Sequence, residues 1–168
     1  MTQPAATSAQ PRLGPLTHRE RGAVETIVRD AKVFREDEIA VALEVLDAYL
    51  AHPGKDYHAL GAFTPGGVLL GFAIYGPTPC TLGTWDLYWI AVAPEAQGSG
   101  VGSLLLEEVE RRLTDALARL VIIETSSLPA YEAARAFYRR HSYTEVARVP
   151  DFYAIGDDRV IFAKRLPA

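Results

Sequence analysis

The stretch PEAQGSGVGSLLLEE, residues 94–108, decides the fold, because it places glycines at alternate positions, Gly98, Gly100 and Gly102, where a helical pattern begins. The first N–H groups of a helix have no intrahelical partner, and the helix dipole adds roughly half a positive charge there. Glycines permit positive φ and remove Cβ atoms, so such a loop can wrap an anion with its amides. The stretch therefore predicts a site for a phosphate-bearing ligand. A tight turn that needs glycine only for its geometry is the alternative interpretation.

Two common nucleotide-binding motifs do not match this stretch. A P-loop needs Gly-Lys-Ser/Thr, and the dinucleotide fingerprint GxGxxG needs glycine where this chain has Ser103. The pattern that remains is QxxGxG, from Gln97 to Gly102, after the apolar run TWDLYWIAV at 84–92. The loop thus connects a predicted strand to a long amphipathic helix.

Apolar periodicity predicts a single domain with the element order α-α-β-β-β-α-β-α-β-β. Two helices precede residue 53, and apolar runs bounded by Gly or Pro predict three mostly antiparallel strands at 57–63, 68–76 and 84–92. A long helix, a buried strand, a short helix and two closing strands follow. Residues 1–16 lack apolar periodicity and predict a flexible tail, with a short strand near Leu13 to Leu16 as an option, so the domain spans 17–168.

The composition is that of a globular protein. Of 168 residues, 49% are hydrophobic and 23% charged, and the formal net charge of −4 disfavours a nucleic-acid surface and favours cationic small molecules. The sequence has neither an apolar run long enough to cross a membrane nor a secretory signal pattern, which predicts a cytoplasmic protein without a membrane partner. Four scattered histidines predict no metal site, and the single cysteine, Cys80, predicts a passive thiol.

A second motif, YEAARAFYRRHSY at 131–143, accompanies the glycine loop. Together with QGSGVG, it resembles the GNAT superfamily of N-acetyltransferases, whose members often carry NxxAxxFYxxxxGF after the fifth strand. Ala134, Phe137 and Tyr138 match that motif, while Tyr131 stands where Asn is usual and Ser-Tyr replaces the final Gly-Phe. The resemblance in element order runs from about residue 57 to residue 165.

The resemblance implies an α/β fold whose mixed, mostly antiparallel sheet is splayed between strands four and five and flanked by about four helices. It also implies acetyl-CoA as the acyl-donor cosubstrate, with no metal. The pantetheine arm would lie along Ile90, Ala91 and Val92, where a backbone N–H would polarise the thioester carbonyl. The pyrophosphate would lie over Gln97, Gly98, Ser99, Gly100, Val101, Gly102 and Ser103, and the second motif would add Tyr131, Ala134 and Tyr138.

Acetyl transfer needs a neutral amine and a stabilised thiolate leaving group. An alkyl amine with a pKa of about 10.4 is only about one part in 2,500 neutral at pH 7, a handicap of about 4.6 kcal/mol. Asp86 is the first candidate to relieve it, as an electrostatic anchor or a water-relay base, and Glu124 is the second. Strand alternation would put Asp86, Tyr88 and Ile90 on one face. By resemblance, Tyr138 would donate a proton or hydrogen bond to the departing sulfur.

The predicted acceptor site combines aromatic and acidic side chains, which suit an amine: Phe34, Glu36, Asp86, Phe152 and Tyr153. The predicted function is acetyl transfer to a primary amine of a small molecule by direct attack in a ternary complex. The alternatives are transfer to protein N-termini or lysines, a non-catalytic acyl-CoA binding or sensing domain, and a purely structural interaction module. The family resemblance leaves a homodimer open.

Overall fold

The structure, a computed structural model, describes residues 10–167. In that range the strands are β1 (Arg12–Gly14), β2 (His58–Phe63), β3 (Leu69–Pro77), β4 (Thr84–Val92), β5 (Leu120–Ser126), β6 (Thr144–Ala154) and β7 (Asp157–Arg165). The helices are α1 (Arg21–Asp30), α2 (Glu36–Ala51), α3 (Val101–Asp115) and α4 (Glu132–Arg140), with 3-10 turns at His18–Glu20, Pro94–Ala96 and Pro129–Tyr131. The predicted order of elements is confirmed, and the optional first strand is present.

The strands of the described chain form one sheet in the order β1-β2-β3-β4-β5-β7-β6. Neighbouring strands are antiparallel except β4 and β5, which run parallel because the chain crosses over through α3 between them. The predicted α/β architecture with a mixed, mostly antiparallel sheet is therefore confirmed. None of the helices within residues 10–167 has the length and apolar character needed to cross a membrane.

A hydrophobic core lies on each face of the sheet. The core under α1 and α2 includes Val24, Val28, Leu46, Phe72 and Ile74. The core under α3 and α4 includes Leu60, Leu105, Val109, Ile123 and Phe162. Burying a side chain of this size contributes roughly 1.5–3 kcal/mol. The apolar stripe predicted on α3 is thus the contact that fixes the glycine loop against the end of β4.

Strands β4 and β5 separate partway along their length. They pair only from Thr84 opposite Leu120 to Leu87 opposite Ile123. Beyond that point β4 continues to Val92 with β3 as its hydrogen-bonded neighbour. The predicted splay is therefore present, and it opens a gap between the two strands in the middle of the sheet.

A β-bulge lies in β4 where the two strands separate. On β3, Ile74 is opposite Trp89 and the next residue, Tyr75, is opposite Leu87, so Tyr88 is the extra residue. A bulge shifts the alternation of side chains by one residue. It therefore reverses which residues of β4 face each core.

The bulge corrects the predicted faces of β4. Leu87, before the bulge, and Ile90, after it, both contact the core under α3 and α4. Trp89 instead contacts the core under α1 and α2. The prediction that Asp86, Tyr88 and Ile90 share one face is therefore wrong, because simple alternation does not continue through the inserted residue.

The N-terminal boundary also needs correction. Arg12–Gly14 pairs antiparallel with β2, with Arg12 opposite Phe63, and Leu16 is only 3% exposed. Residues 12–16 are therefore part of the folded domain and not of the predicted tail, because strand pairing and a buried leucine hold them. The rest of the predicted tail, residues 1–9, lies outside the described residues.

Glu108 on α3 predicts a pH dependence of stability. Hydrogen bonds from Arg111, and then from Arg112, lower the pKa of Glu108 from 4.5 to about 2. A lowered pKa stabilises the fold fully above the unfolded value, and this stabilisation is lost as the pH falls from about 4.5 toward 2. We expect Glu108→Gln to lower the free energy of unfolding by about 1 kcal/mol or less at pH 7, since its partners are largely exposed.

The measurement is urea unfolding of wild type and Glu108→Gln between pH 7 and pH 3. Glu107→Gln, on the exposed side of the same helix, is the control and should show little difference from wild type at any pH. A Glu108→Gln difference that stays constant with pH would show that the ion pairs do not stabilise the fold.

Candidate active site

A cleft of about 1240 Å³ opens where β4 and β5 separate. Its walls are the second half of β4, the glycine loop at the start of α3, the end of β5, one face of α4 and the connection between α1 and α2. The sheet topology positions these walls, since the splay leaves a gap and each element begins or ends beside it. The cleft therefore brings the two sequence motifs, residues 94–108 and 131–143, to one place.

The alternate glycines have two different structural reasons. Gly98 and Gly100 have φ of 73° and 88°, with open space where a Cβ would be, so they are needed for a left-handed backbone. Gly102 is helical, and a Cβ there would lie 3.4 Å from Phe137 Cε2 and 3.7 Å from Val92 Cγ2. The third glycine thus keeps space open between α3, α4 and β4.

The first turn of α3 provides a site suited to an anion. Gly100 is the N-terminal cap of this 15-residue helix, and its carbonyl accepts the first helical hydrogen bond from Leu104 N–H at 3.0 Å. The preceding N–H groups of the first turn have no carbonyl within the helix to bind. The predicted loop residues that line the cleft here are Gln97, Gly98, Gly100, Gly102 and Ser103.

Two predicted loop residues do not line the cleft. Val101 is 2% exposed and belongs to the core under α3, while the Ser99 hydroxyl donates to the carbonyl of Ala96. Ser103 lies at the cleft, and its hydroxyl is 2.9 Å from His141 Nε2. Side-chain contacts to an anion are therefore open to Gln97 and Ser103, and for Ser99 and Val101 only the backbone could contribute.

A narrow extension of the cleft, about 150 Å³, runs between β4 and α4. The residues that line it are Phe137 and six of the predicted coenzyme-binding residues: Ile90, Ala91, Val92, Gly102, Ala134 and Tyr138. The extension is almost wholly apolar. Such a channel suits a slender, largely aliphatic chain.

Tyr138 lies where the narrow extension meets the main cleft. It is 7% exposed, and its ring packs against Phe137 and Phe162, with ring centroids 5.7 Å away in each case. Burial raises the pKa of Tyr138 well above its ordinary value, so its hydroxyl stays protonated. Within residues 10–167 no side chain or backbone group accepts a hydrogen bond from it. A protonated donor is thus available at the cleft.

Three cleft carboxylates are already paired with arginines. Arg35 Nε lies 3.1 Å from Asp37, and Arg35 Nη1 lies 3.9 Å from Glu38. Glu124 forms an ion pair with Arg159. A carboxylate held by an arginine is less free to bind an amine or a water molecule. Glu124 is therefore a weaker candidate base than its position on β5 indicates.

Asp86 is the cleft carboxylate without a cationic partner among the described residues. Its Oδ2 accepts a hydrogen bond from Thr78 Oγ1 at 2.7 Å and a long one from the Tyr88 hydroxyl at 3.5 Å. Burial, and then Asp86 itself, raises the pKa of Tyr88 to about 12, so this phenol is neutral and does not cancel the charge. The cleft therefore has one uncompensated negative group.

The predicted acceptor residues divide into two groups. Phe34 and Tyr153 line the cleft, as Asp86 does. Glu36 lies outside it, with its side chain 81% exposed and bound to Arg29 at 2.9 Å, and Phe152 lies outside it too, 49% exposed. The structure thus does not bring Glu36 and Phe152 to the site, because Glu36 at the start of α2 and Phe152 in β6 both face solvent.

Residues of two kinds at or beside the cleft were not predicted from the sequence. Trp89 and Tyr88 line the cleft as neighbours in β4, and the aromatic pair in WDLYWI was a signal that could have identified them. Arg35 and Arg159 neutralise cleft carboxylates, and no local signal marks that pairing. Within the described range, no cluster of three His, Cys, Asp or Glu side chains is placed to hold a metal ion.

Solved structures show the same fold in enzymes with different acceptors. The ribosomal-protein-S18-alanine N-acetyltransferase from Escherichia coli superposes with a TM-score of 0.74 at 22% identity, covering 94% of this chain and 95% of that one. An aminoglycoside 6′-N-acetyltransferase complexed with coenzyme A superposes with a TM-score of 0.73 at 13% identity, covering 94% and 98%. A search of curated protein sequences finds no significant match.

Two closer comparisons concern the family. A protein from Desulfovibrio desulfuricans that is assigned to the GNAT family superposes with a TM-score of 0.84 at 38% identity, covering 94% of this chain and 98% of that one. The family model described as an acetyltransferase (GNAT) domain matches residues 55–145, which include the glycine loop and Tyr138. The residues, the splayed sheet and both matches agree: the chain belongs to the GNAT acetyltransferase family.

Proposed function

We propose that this protein transfers an acetyl group from acetyl-CoA to a primary amine of a small molecule by direct attack. The observation that carries the proposal is that one cleft contains both a buried, protonated donor, Tyr138, and a carboxylate without a cationic partner, Asp86. Both groups suit acyl transfer from a thioester to an amine. The carboxylate can attract the acceptor in its ammonium form before it loses a proton and attacks as the neutral amine, and the donor can stabilise the departing thiolate. Family membership supports the reaction type, and a relative of the same fold was solved with coenzyme A.

The cleft has the shape and chemistry to bind acetyl-CoA as a cosubstrate. The amides at the start of α3 suit its pyrophosphate, and Gly98 and Gly100 in the preceding loop have the positive φ of a left-handed backbone. The apolar extension beside Ile90 and Val92 suits the pantetheine arm. A backbone N–H of Ala91 or Val92, on the β4 edge that β5 leaves unpaired, would stabilise the developing oxyanion.

The proposed chemistry balances without a covalent enzyme intermediate. The amine nitrogen attacks the thioester carbon, the carbon–sulfur bond breaks, and the electron pair leaves on sulfur. Tyr138 donates a hydrogen bond or its proton to that sulfur, whose thiol has a reference pKa of about 8.5, and where the proton is transferred, one taken from water restores the phenol. The proton lost from nitrogen passes to water.

Asp86 acts in this proposal as the anchor of the acceptor. An aspartate with a reference pKa of about 3.9 is about 6.5 units too acidic to deprotonate an alkylammonium directly, a deficit of about 9 kcal/mol. An unpaired carboxylate does, however, attract the ammonium form and can hold a water molecule that relays the proton. The aromatic rings of Tyr88 and Trp89 beside it add favourable contacts to a cation.

We therefore expect Asp86→Asn to raise KM for the amine about 10-fold or more, equivalent to about 1.4 kcal/mol, with little effect on acetyl-CoA affinity. Asp37→Asn is the matched control, since it removes a cleft carboxylate that is already bound to Arg35. Steady-state kinetics of thiol release at varied amine concentration measures both. Equal KM values for the two variants would contradict the anchoring role.

A non-catalytic acyl-CoA binding or sensing domain is the alternative from another class. It would need the glycine loop and the apolar extension, but it would not need Tyr138 or Asp86. The charge isolation of Asp86 favours the enzyme, because an unpaired carboxylate in the cleft suits a cationic acceptor and contributes nothing to binding an anionic coenzyme.

A further inference from the structure

Tyr131 joins two walls of the cleft. Its hydroxyl donates a hydrogen bond to the carbonyl oxygen of Val33 at 3.1 Å, across 98 positions of sequence. Tyr131 ends the 3-10 turn that follows β5, whereas Val33 lies in the connection between α1 and α2. Both residues line the cleft. One side chain therefore spans the cleft from the β5 side to the helical connection.

Two further rings continue this contact to β4. The Phe34 ring lies edge-on to Tyr131, with centroids 6.1 Å apart, and edge-on to Trp89, with centroids 5.0 Å apart. We call Trp89, Phe34 and Tyr131 the aromatic bridge. Because β4 and β5 separate after Leu87, the bridge links their diverging ends across the open side of the splay.

The aromatic bridge attaches the α1–α2 connection to the β5 side of the cleft, and its three side chains are partly buried. The ion pairs within that connection, Arg29 with Glu36 and Arg35 with Asp37, have exposed side chains and weak expected coupling. Burial raises the pKa of Tyr131 to about 12, so its hydroxyl keeps the donated proton throughout the neutral range. Tyr131 therefore contributes a lasting hydrogen bond between the connection and the opposite wall.

We propose that the aromatic bridge makes Tyr131 a specificity-determining residue, which admits free small amines to the cleft and excludes the termini and lysines of polypeptides. The inference rests on the proposed function. A small amine ends within a few atoms of its nitrogen and fits under the bridge beside Asp86. A polypeptide continues as a chain of about 3.3 Å per residue and needs a groove that stays open between the same walls. Asparagine, usual at this position by family resemblance, is too short to replace the phenol at Val33.

The test combines Tyr131→Phe, which removes the hydroxyl, with Tyr131→Asn, which removes the ring. The acceptors are a panel of short primary amines and a hexapeptide with a free N-terminus, and the measured quantity is kcat/KM for each. Acetyl-CoA affinity is measured by calorimetry, because Tyr131 also lines the coenzyme side. Hydrogen exchange of residues 31–38 reports the attachment of the connection without requiring turnover.

We expect the wild type to prefer the best small amine over the peptide by about 100-fold or more, and Tyr131→Asn to reduce that preference at least about 10-fold through faster peptide acetylation. Both Tyr131 variants should speed exchange in residues 31–38. Glu36→Gln, which cuts the ion pair with Arg29 on the solvent side, is the control for simple loosening and should keep the preference.

An unchanged preference in Tyr131→Asn, or wild-type peptide acetylation as fast as that of any amine, would overturn the inference while leaving the proposed function in place. A wild type that binds acetyl-CoA but acetylates neither the small amines nor the peptide would overturn both the proposed function and the proposed selectivity of Tyr131. The exchange data would then still show whether Tyr131 holds the connection.

Discussion

Tyr138→Phe should lower kcat about 100- to 1,000-fold, which lies within the usual range for loss of a general acid. The affinity for acetyl-CoA should stay within about twofold. The substitution removes one oxygen and keeps the ring, which packs against Phe137 and Phe162. The hydroxyl is the protonated donor at the junction of the cleft and its apolar extension. Without it, the thiolate would leave into an apolar wall without a donor. The loss should therefore appear in turnover and not in binding.

Tyr143→Phe is the matched control for that experiment. Tyr143 is also buried, and its ring lies 6.3 Å from that of Tyr138. It does not line the cleft. Removing its hydroxyl should leave kcat nearly unchanged, so a large loss specific to Tyr138→Phe would reflect chemistry. Turnover of Tyr138→Phe within a few-fold of wild type would remove Tyr138 from its proposed role.

Gly100→Glu should weaken acetyl-CoA binding by about 100-fold or more. The new carboxylate would lie at the start of α3, where the proposal puts the pyrophosphate, and two unit charges about 4 Å apart repel by about 4 kcal/mol at an effective dielectric constant of 20. The φ of 88° adds strain of about 1–2 kcal/mol, which falls on folding stability. Isothermal titration calorimetry measures the affinity directly.

Gly67→Glu is the control that distinguishes the effect of a new charge at the site from the effect of backbone strain. Gly67 has the same φ of 88°, has open space where a Cβ would be, and lies in the turn between β2 and β3. Thermal unfolding should show similar destabilisation of both variants, while only Gly100→Glu loses coenzyme affinity. Equal affinities in the two variants would show that the pyrophosphate does not lie on the glycine loop.

The parts of the molecule that local patterns determine could be predicted from the sequence. The stripe of Leu105 and Val109 repeats at helical spacing, so the sequence alone indicates α3 and the buried face that it presents. The glycines before it predict a backbone conformation that residues with a Cβ rarely adopt, and the structure gives Gly98 and Gly100 positive φ. The splay between β4 and β5 was expected from the family resemblance alone, because no local signal in the sequence indicates it.

The parts that depend on distant contacts could not be predicted in this way. The bulge at Tyr88 follows from the pairing of β4 with β3, and it reverses the face of Ile90 relative to simple alternation. The sequence offers Glu124 as a candidate base, but the fold brings Arg159 to it. Tyr131 reaches Val33 across the cleft, a contact that neither local segment specifies. Each of these features changes a proposed role at the site.

The most direct test of the central claim is thiol release from acetyl-CoA by the wild-type protein, measured with and without a panel of small primary amines, with the products identified by mass spectrometry. The account predicts release that depends on the amine and yields the N-acetylated amine in equal amount. Saturable binding of acetyl-CoA with no amine-dependent release across small amines and peptides would contradict it and favour a binding or sensing domain.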